Sequence, residues 1–157
     1  MTQDMHNNEL LQLATFSLSG EEFGVDILKV QEIIRMMEIT KLPSAPFFVE
    51  GVINLRGKVI PVIDLRRRFG MGAKDHDKDT RIIVLELSAN IVGFIVDSVA
   101  EVLRIPADTV EPPPPVIAGI DSDHIKGVGQ LQGKLLILLD LDRLLSDHER
   151  SMLDSMD

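Results

Sequence analysis

VEGVINLRGKVIPVIDLRRRFG, residues 49–70, and IKGVGQLQGKLLILLDLDRLLS, residues 125–146, are two versions of one pattern. At an offset of 76, identities fall at Gly51/Gly127, Val52/Val128, Leu55/Leu131, Gly57/Gly133, Lys58/Lys134, Asp64/Asp140, Leu65/Leu141 and Arg67/Arg143, and most other positions exchange one aliphatic residue for another. Upstream, at an offset of 69, Gly24, Val30, Glu32 and Arg35 match Gly93, Val99, Glu101 and Arg104. A unit of about 70 residues has therefore been duplicated, which is the first property to settle in any chain. The offsets differ because the second unit carries a longer loop around residues 112–122, including the tetraproline 112–115.

Within each unit the apolar runs are short, rich in Ile, Val and Leu, and broken by glycine or polar pairs, a rhythm of strands and tight turns. The pattern predicts strands over residues 13–18, 23–26, 33–37, 52–55 and 58–63, and again over 81–87, 91–96, 101–105, 127–131 and 134–139. Ser19-Gly20, Arg56-Gly57, Ala89-Asn90 and Gln132-Gly133 stand where two-residue hairpins need positive φ. Residues 27–34 are read as a short helical turn entering a strand, 65–69 as one or two helical turns, and 141–156 as a C-terminal helix. Five short strands with a connection can close into a small barrel and so hide their edges. The expected architecture is mainly β: two similar five-stranded barrels in tandem, each too small to stand alone. The domain is placed at residues 11–146, with halves of roughly 11–75 and 80–146 forming one folding unit, and with residues 1–10 and 147–157 as tails.

Composition narrows function mainly by exclusion. The 157 residues carry 16 Lys and Arg against 25 Asp and Glu, a formal charge of −9, with no Trp, no Tyr and six Phe. Such a surface repels phosphate backbones and offers little to stack on bases, so no nucleic-acid partner is expected. The absence of cysteine removes disulfides, thiolate catalysis and thiolate-ligated metals. The N-terminus is polar and acidic, and no uncharged run approaches the ~20 residues of a membrane span, so a cytoplasmic protein without direct membrane insertion is expected.

No segment carries a complete catalytic motif. Asp121, Asp123 and His124 could in principle ligate a divalent ion, and a small metal-dependent enzyme is the alternative they support. The pattern of a calcium loop is missing, however, and a solvated acidic loop after prolines is the simpler reading. The cluster Asp75-His76-Asp77, alternating with lysines, reads as a charged connector. No Gly-x-Ser-x-Gly elbow, phosphate loop or dinucleotide fingerprint is present. No metal, no cofactor and no catalysis are expected. Arg66, Arg67 and Arg68 read as a solvated basic helix face, and the tetraproline as a stiff surface loop. Arg56 occupies a turn that any polar residue could fill, while the second unit has Gln132 there. It is either a solubilising surface arginine or a contact for a partner carboxylate.

The longer segments carry a resemblance. FGVDILKVQEII (23–34), ITKLPSAPFFVEGVINLRGKVIPVIDLRRRFG (39–70), GFIVDSVAEVLRI (93–105) and IKGVGQLQGKLLILLDLDRLL (125–145) together resemble the CheW-like domain family of bacterial chemotaxis coupling proteins over nearly the whole chain. The resemblance implies two tandem, interlocked five-stranded SH3-like barrels with short helices and a C-terminal helix, and a non-enzymatic adaptor active in arrays at the inner membrane face. It would link the helical cytoplasmic tips of methyl-accepting chemotaxis receptors to the histidine kinase CheA, whose C-terminal domain has the same fold. Carried over by position, it places Val30, Glu32, Arg56, Val99 and Val102 at a receptor-facing groove between the barrels, and assigns no residues to the kinase contact. An aliphatic floor would accept a helical ridge, and Glu32 and Arg56 at its margin would fix register. The kinase's own C-terminal module and a receiver-bearing relative share these motifs. Neither kinase glycines nor an acidic phosphoacceptor domain is found in the 157 residues. Met36-Met37 and Gln132 depart from the family pattern.

Overall fold

The structure, a computed structural model, describes residues 9–155 except Ser88 and the Leu131 side chain. Its strands are β1 (Leu10–Leu18), β2 (Glu21–Asp26), β3 (Val30–Arg35), β4 (Gly51–Leu55), β5 (Lys58–Asp64), β6 (Arg81–Leu87), β7 (Asn90–Val96), β8 (Ser98–Pro106), β9 (Val116–Ile117), β10 (Ile120–Asp121), β11 (Ile125–Leu131) and β12 (Lys134–Leu139). Two helices, α1 (Leu65–Arg68) and α2 (Asp147–Asp154), and three single 3₁₀ turns complete the described elements. The strands form two five-stranded sheets, each curled as a half-barrel, in the orders β11-β12-β2-β1-β8 and β3-β6-β7-β5-β4.

The two orders are the same order under the duplication, with β4, β5, β7, β6 and β3 standing for β11, β12, β2, β1 and β8. Even the single parallel pair recurs: Leu138 faces Gly24 across β12 and β2, and Val62 faces Gly93 across β5 and β7. Neither sheet, however, is built from one half of the chain. The first takes β1 and β2 from one unit and β8, β11 and β12 from the other, and the second takes the complement. The chain crosses between sheets twice, once through the 3₁₀ turn Ile27–Lys29 and once through Asp97 alone, between β7 and β8. The expected halves are thus exchanged, each lending its first hairpin to the other's barrel. Separately produced fragments 1–75 and 76–157 are expected to be unfolded alone and to gain a β-type circular dichroism spectrum with one cooperative melt when mixed. A cooperative melt of either fragment alone would show that a sheet forms without its borrowed strands.

Three apolar clusters follow from this weave. The largest lies between the sheets, where Phe16, Phe23 and Phe94 are almost wholly buried with Leu65, Ile137 and Leu153. Phe16 stacks on Phe23, and Phe23 on Phe69. The second barrel has its own interior of Ile53, Ile60, Val62, Ile82, Val84 and Ile95, closed by Ile34, Met36, Met37 and Ile39. The first barrel's interior is leaner: Leu13, Ile105, Leu136 and Leu138 with Leu11 and Val110.

Several local expectations are corrected. β3 covers Val30–Arg35 rather than 33–37, since Met36 and Met37 turn inward to close the barrel. The helix expected over 141–156 begins only at Asp147: the Asp140 carboxylate accepts from Asp142 N–H and ties residues 140–143 into a turn, and a Ser146/Glu149 capping box starts α2 afresh. Residues 147–155 are not a tail, because Leu153 joins the central cluster and Glu149 is buried. The loop 112–122 contains the hairpin β9–β10, turned by Ala118-Gly119, both with positive φ. Asn90, expected in the turn between β6 and β7, already belongs to β7 and pairs with Leu87.

Candidate functional site

Arg56 and Gly57 form the tip of the β4–β5 hairpin with φ of 52° and 87°, and the Asn54 side chain accepts from Gly57 N–H at 2.9 Å. A left-handed arginine is conformationally disfavoured relative to Asn or Gly, and Gln132 adopts the same conformation at the matching turn, with φ of 51°. Arg56 reaches from the tip to the Glu32 carboxylate on β3, the opposite edge strand of the same sheet. Hydrogen bonding to Glu32, with the attraction of its charge, pushes the guanidinium above its ordinary pKa. Its side chain nevertheless remains 70% exposed, against 31% for Glu32. The pair joins the two edges of the second barrel and presents charge of both signs to solvent. Sequence reasoning gave Arg56 no partner within the chain; the structure gives it one. In the first barrel the equivalent positions are Glu101 and Gln132, which cannot repeat the pair.

The apolar candidates divide. Val30 and Val99, equivalent by the 69-residue offset, are both half-buried and both pack on the central cluster, so one hydrophobic mass supports them. Val102 is 54% exposed on β8. Its counterpart on β3 is Ile33, 39% exposed, which sequence reasoning missed although the same offset points to it. Both strands are sheet edges, and both carry a bulge at the candidate residues: between Val30 and Glu32 opposite β6, and between Val99 and Val102 opposite β1. A bulge re-aims the side chains around it, and edge bulges accompany binding sites. In β8 the bulge is satisfied by Thr15, whose hydroxyl donates to Glu101 C=O at 2.7 Å and accepts from its N–H at 3.2 Å. Val30 and Glu32 on β3 and Val99 and Val102 on β8 therefore sit on two related edges, with Arg56 reaching Glu32 from the β4–β5 tip and Val30 and Val99 on one apolar support.

Of the three consecutive arginines, expected as a solvated face, only Arg67 is exposed, while Arg66 and Arg68 turn toward the protein. Arg66 makes a two-pronged ion pair with Asp97, Nε to Oδ1 at 2.7 Å and Nη2 to Oδ2 at 2.9 Å, and also donates to the Gly72 carbonyl. Arg67 pairs with Glu50, and Arg68 donates to Glu149 at 2.8 Å and to the Leu144 carbonyl. One turn of helix, capped by Asp64, thus reaches the sheet crossover and the C-terminal helix at once. The signal available in the sequence was the repeat itself, which has Asp142 and Leu144 where the first unit has Arg66 and Arg68.

The Asp121–His124 loop makes several contacts within the chain. The Asp121 carboxylate accepts from Asp123 N–H, Asp123 lies 3.6 Å from Arg143, and His124 Nδ1 meets the Arg143 carbonyl at 3.2 Å. Among the described residues no group of three or more His, Asp or Glu is placed to hold a metal ion, and no helix is long and apolar enough to cross a membrane.

Comparison with known proteins gives a consistent answer. The chain is 39% identical over 141 residues to a chemotaxis protein CheW from Klebsiella aerogenes, covering 90% of this chain and 85% of the relative. It is 34% identical over 154 residues to a chemotaxis protein CheW from Treponema pallidum, covering 96% and 91%. The crystal structure of the scaffolding protein TtCheW from Thermoanaerobacter tengcongensis superposes with a TM-score of 0.81 at 42% identity, over 90% of this chain and 91% of that one. The model of the CheW-like domain matches residues 12–149, α1, both crossovers and most of both sheets included, and the chain belongs to that family.

Proposed function

We propose that this protein couples methyl-accepting chemotaxis receptors to the histidine kinase CheA, as a non-catalytic scaffold in arrays at the cytoplasmic face of the inner membrane. The observation that carries the reading is the exposed Glu32–Arg56 pair beside two bulged, apolar edge strands, in a chain of this family. A receptor's helical tip would lay its apolar ridge on Val30, Val99 and Val102, with Ile33 added to that surface. The charges of Glu32 and Arg56 would set register and choose among partners more than supply affinity. The kinase would use other surfaces of the barrels, so that one molecule holds both.

Co-sedimentation of CheA with receptor-containing membranes in the presence of this protein tests the reading. Recruitment of kinase above the level seen without the protein, together with higher kinase activity, is expected. No recruitment above background defeats it. Arg56→Ala and Glu32→Ala are each expected to reduce recruitment several-fold while leaving the unfolding temperature nearly unchanged, because exposed ion pairs add little stability. A large fall in that temperature would show the pair to be a barrel clasp rather than a contact.

A further inference from the structure

The duplication allows the two barrels to be compared corner by corner, and one corner is filled in one barrel and open in the other. In the second barrel, Arg66 follows the end of β5, crosses to Asp97 at the crossover and donates to Gly72 C=O. By the same offsets, the counterparts of Arg66 and Asp97 in the first barrel are Asp142 and Leu28. Local geometry is retained, since Asp64 accepts from Arg66 N–H and Asp140 accepts from Asp142 N–H. The filling cation is missing. In its place is a hollow of about 290 Å³ lined by Leu10, Leu28 and Leu138 and by Asp26, Asp140 and Asp142.

This corner has two marks of an unfinished contact. Leu28 is 87% exposed and Leu10 54% exposed, and large exposed aliphatics grouped around a concavity signal a binding surface. Asp26, Asp140 and Asp142 take part in no ion pair among the described residues, and they stand beside this aliphatic wall with Asp26 and Asp142 exposed. Lys29 and Lys126 also line the hollow, which with Glu9 leaves four carboxylates against two ammonium groups. A side chain with an aliphatic stem and a delocalised cation matches both the wall and the charge, and the related corner shows an arginine meeting that need from within the chain.

The geometry points to this hollow as a socket for an arginine side chain carried by a partner protein's basic, leucine-flanked segment. Its guanidinium would meet Asp142 and Asp140, and its stem and neighbours would cover Leu28 and Leu10. This goes beyond receptor and kinase coupling and rests on a different part of the surface from Glu32 and Arg56.

Titration of the ¹⁵N-labelled protein with the peptide acetyl-Leu-Arg-Leu-amide tests it. Saturable shift changes at residues 10–13, 27–29 and 140–142 are expected. Binding should be about tenfold weaker for acetyl-Leu-Gln-Leu-amide and for the Asp142→Asn protein, the loss expected for a hydrogen bond to a charged group. The double variant Leu28→Asp/Asp142→Arg should rebuild the clamp of the other barrel. It is expected to melt above either single variant and to show no shift changes with the peptide. Equal binding of the neutral peptide, undiminished binding by either variant, or changes scattered over the acidic surface would each overturn the proposal. No receptor or kinase enters the experiment, so its failure leaves the coupling reading standing.

Discussion

Gly51→Val is expected to abolish cooperative folding, with a loss of about 3 kcal/mol or more, the range of severe overpacking. Gly51 opens β4 where the segment after β3 passes over it, and Thr40 and Val52 exchange two backbone hydrogen bonds of 2.8 Å there. A Cβ on Gly51 would lie 2.5 Å from the Thr40 carbonyl oxygen and 2.7 Å from Ile39 Cγ2. The first of these is backbone held by the bridge, so it cannot swing aside. Relief would require breaking the bridge that closes the second barrel. Gly127 is the equivalent position, crossed by the Glu111–Val128 bridge, but there the bridging backbone stands farther off, with the Glu111 carbonyl oxygen at 3.0 Å and the Val110 Cγ1 side-chain atom nearer at 2.5 Å. Gly127→Ala should therefore cost less than Gly51→Ala. Gly72, with nothing within 4 Å of an added Cβ, is the control. Urea unfolding monitored by circular dichroism orders the three, and a Gly51→Val protein as stable as the parent would refute the close approach.

Asp97→Ala is expected to cost about 3 kcal/mol, because it strands Arg66, only 15% exposed, without its partner. Asp97 is the single residue between two strands of different sheets. Its N–H donates to Ser17 C=O, and its carboxylate accepts from Ser19 N–H and twice from Arg66. Arg66→Lys should restore little of the effect of losing Arg66, since an ammonium cannot reproduce the two-pronged fork. The pair also sets a pH dependence. Burial alone would raise the Asp97 carboxyl, but hydrogen bonds from Arg66 and Ser19, with the Arg66 charge, hold it below the ordinary carboxylate value. Its contribution is therefore complete above the unfolded-state value of about 3.9 and is lost as pH falls through the lower folded value. Asp64 acts in the opposite sense. Burial raises it, so its contribution is greatest below the ordinary range and fades as pH rises through its folded value. Asp97→Asn should consequently flatten the acid limb of stability, read from urea midpoints between about pH 5 and 2. An unchanged acid limb would mean that Asp97 does not carry it.

The repeated strands were legible because each barrel keeps its turn pairs, and Arg56-Gly57 and Gln132-Gly133 hold nearly the same left-handed geometry in both copies. The exchange of hairpins between barrels was not legible. It depends on where Asp97 and the turn Ile27–Lys29 send the chain in space, and alternation of apolar residues is blind to which sheet a strand joins. The arginines after Asp64 were misjudged because a charge run carries no record of partners 31 or 81 residues away, as Asp97 and Glu149 are from Arg66 and Arg68. At the candidate site, the repeat marked Val30 and Val99 as a pair, and the resemblance supplied Glu32 and Arg56. Their mutual ion pair needed the barrel to curl far enough to bring the β4–β5 tip to β3.

A crossover one residue long has a mechanical consequence. Domain motion needs a few linking residues free to absorb backbone rotation. Between β7 and β8 the only such residue is Asp97, and its backbone and side chain are both tied. The two barrels therefore have no hinge there, and a load applied to one is delivered to the other as torque rather than as bending. A bracket of that kind keeps the angle between whatever is fastened to its two arms.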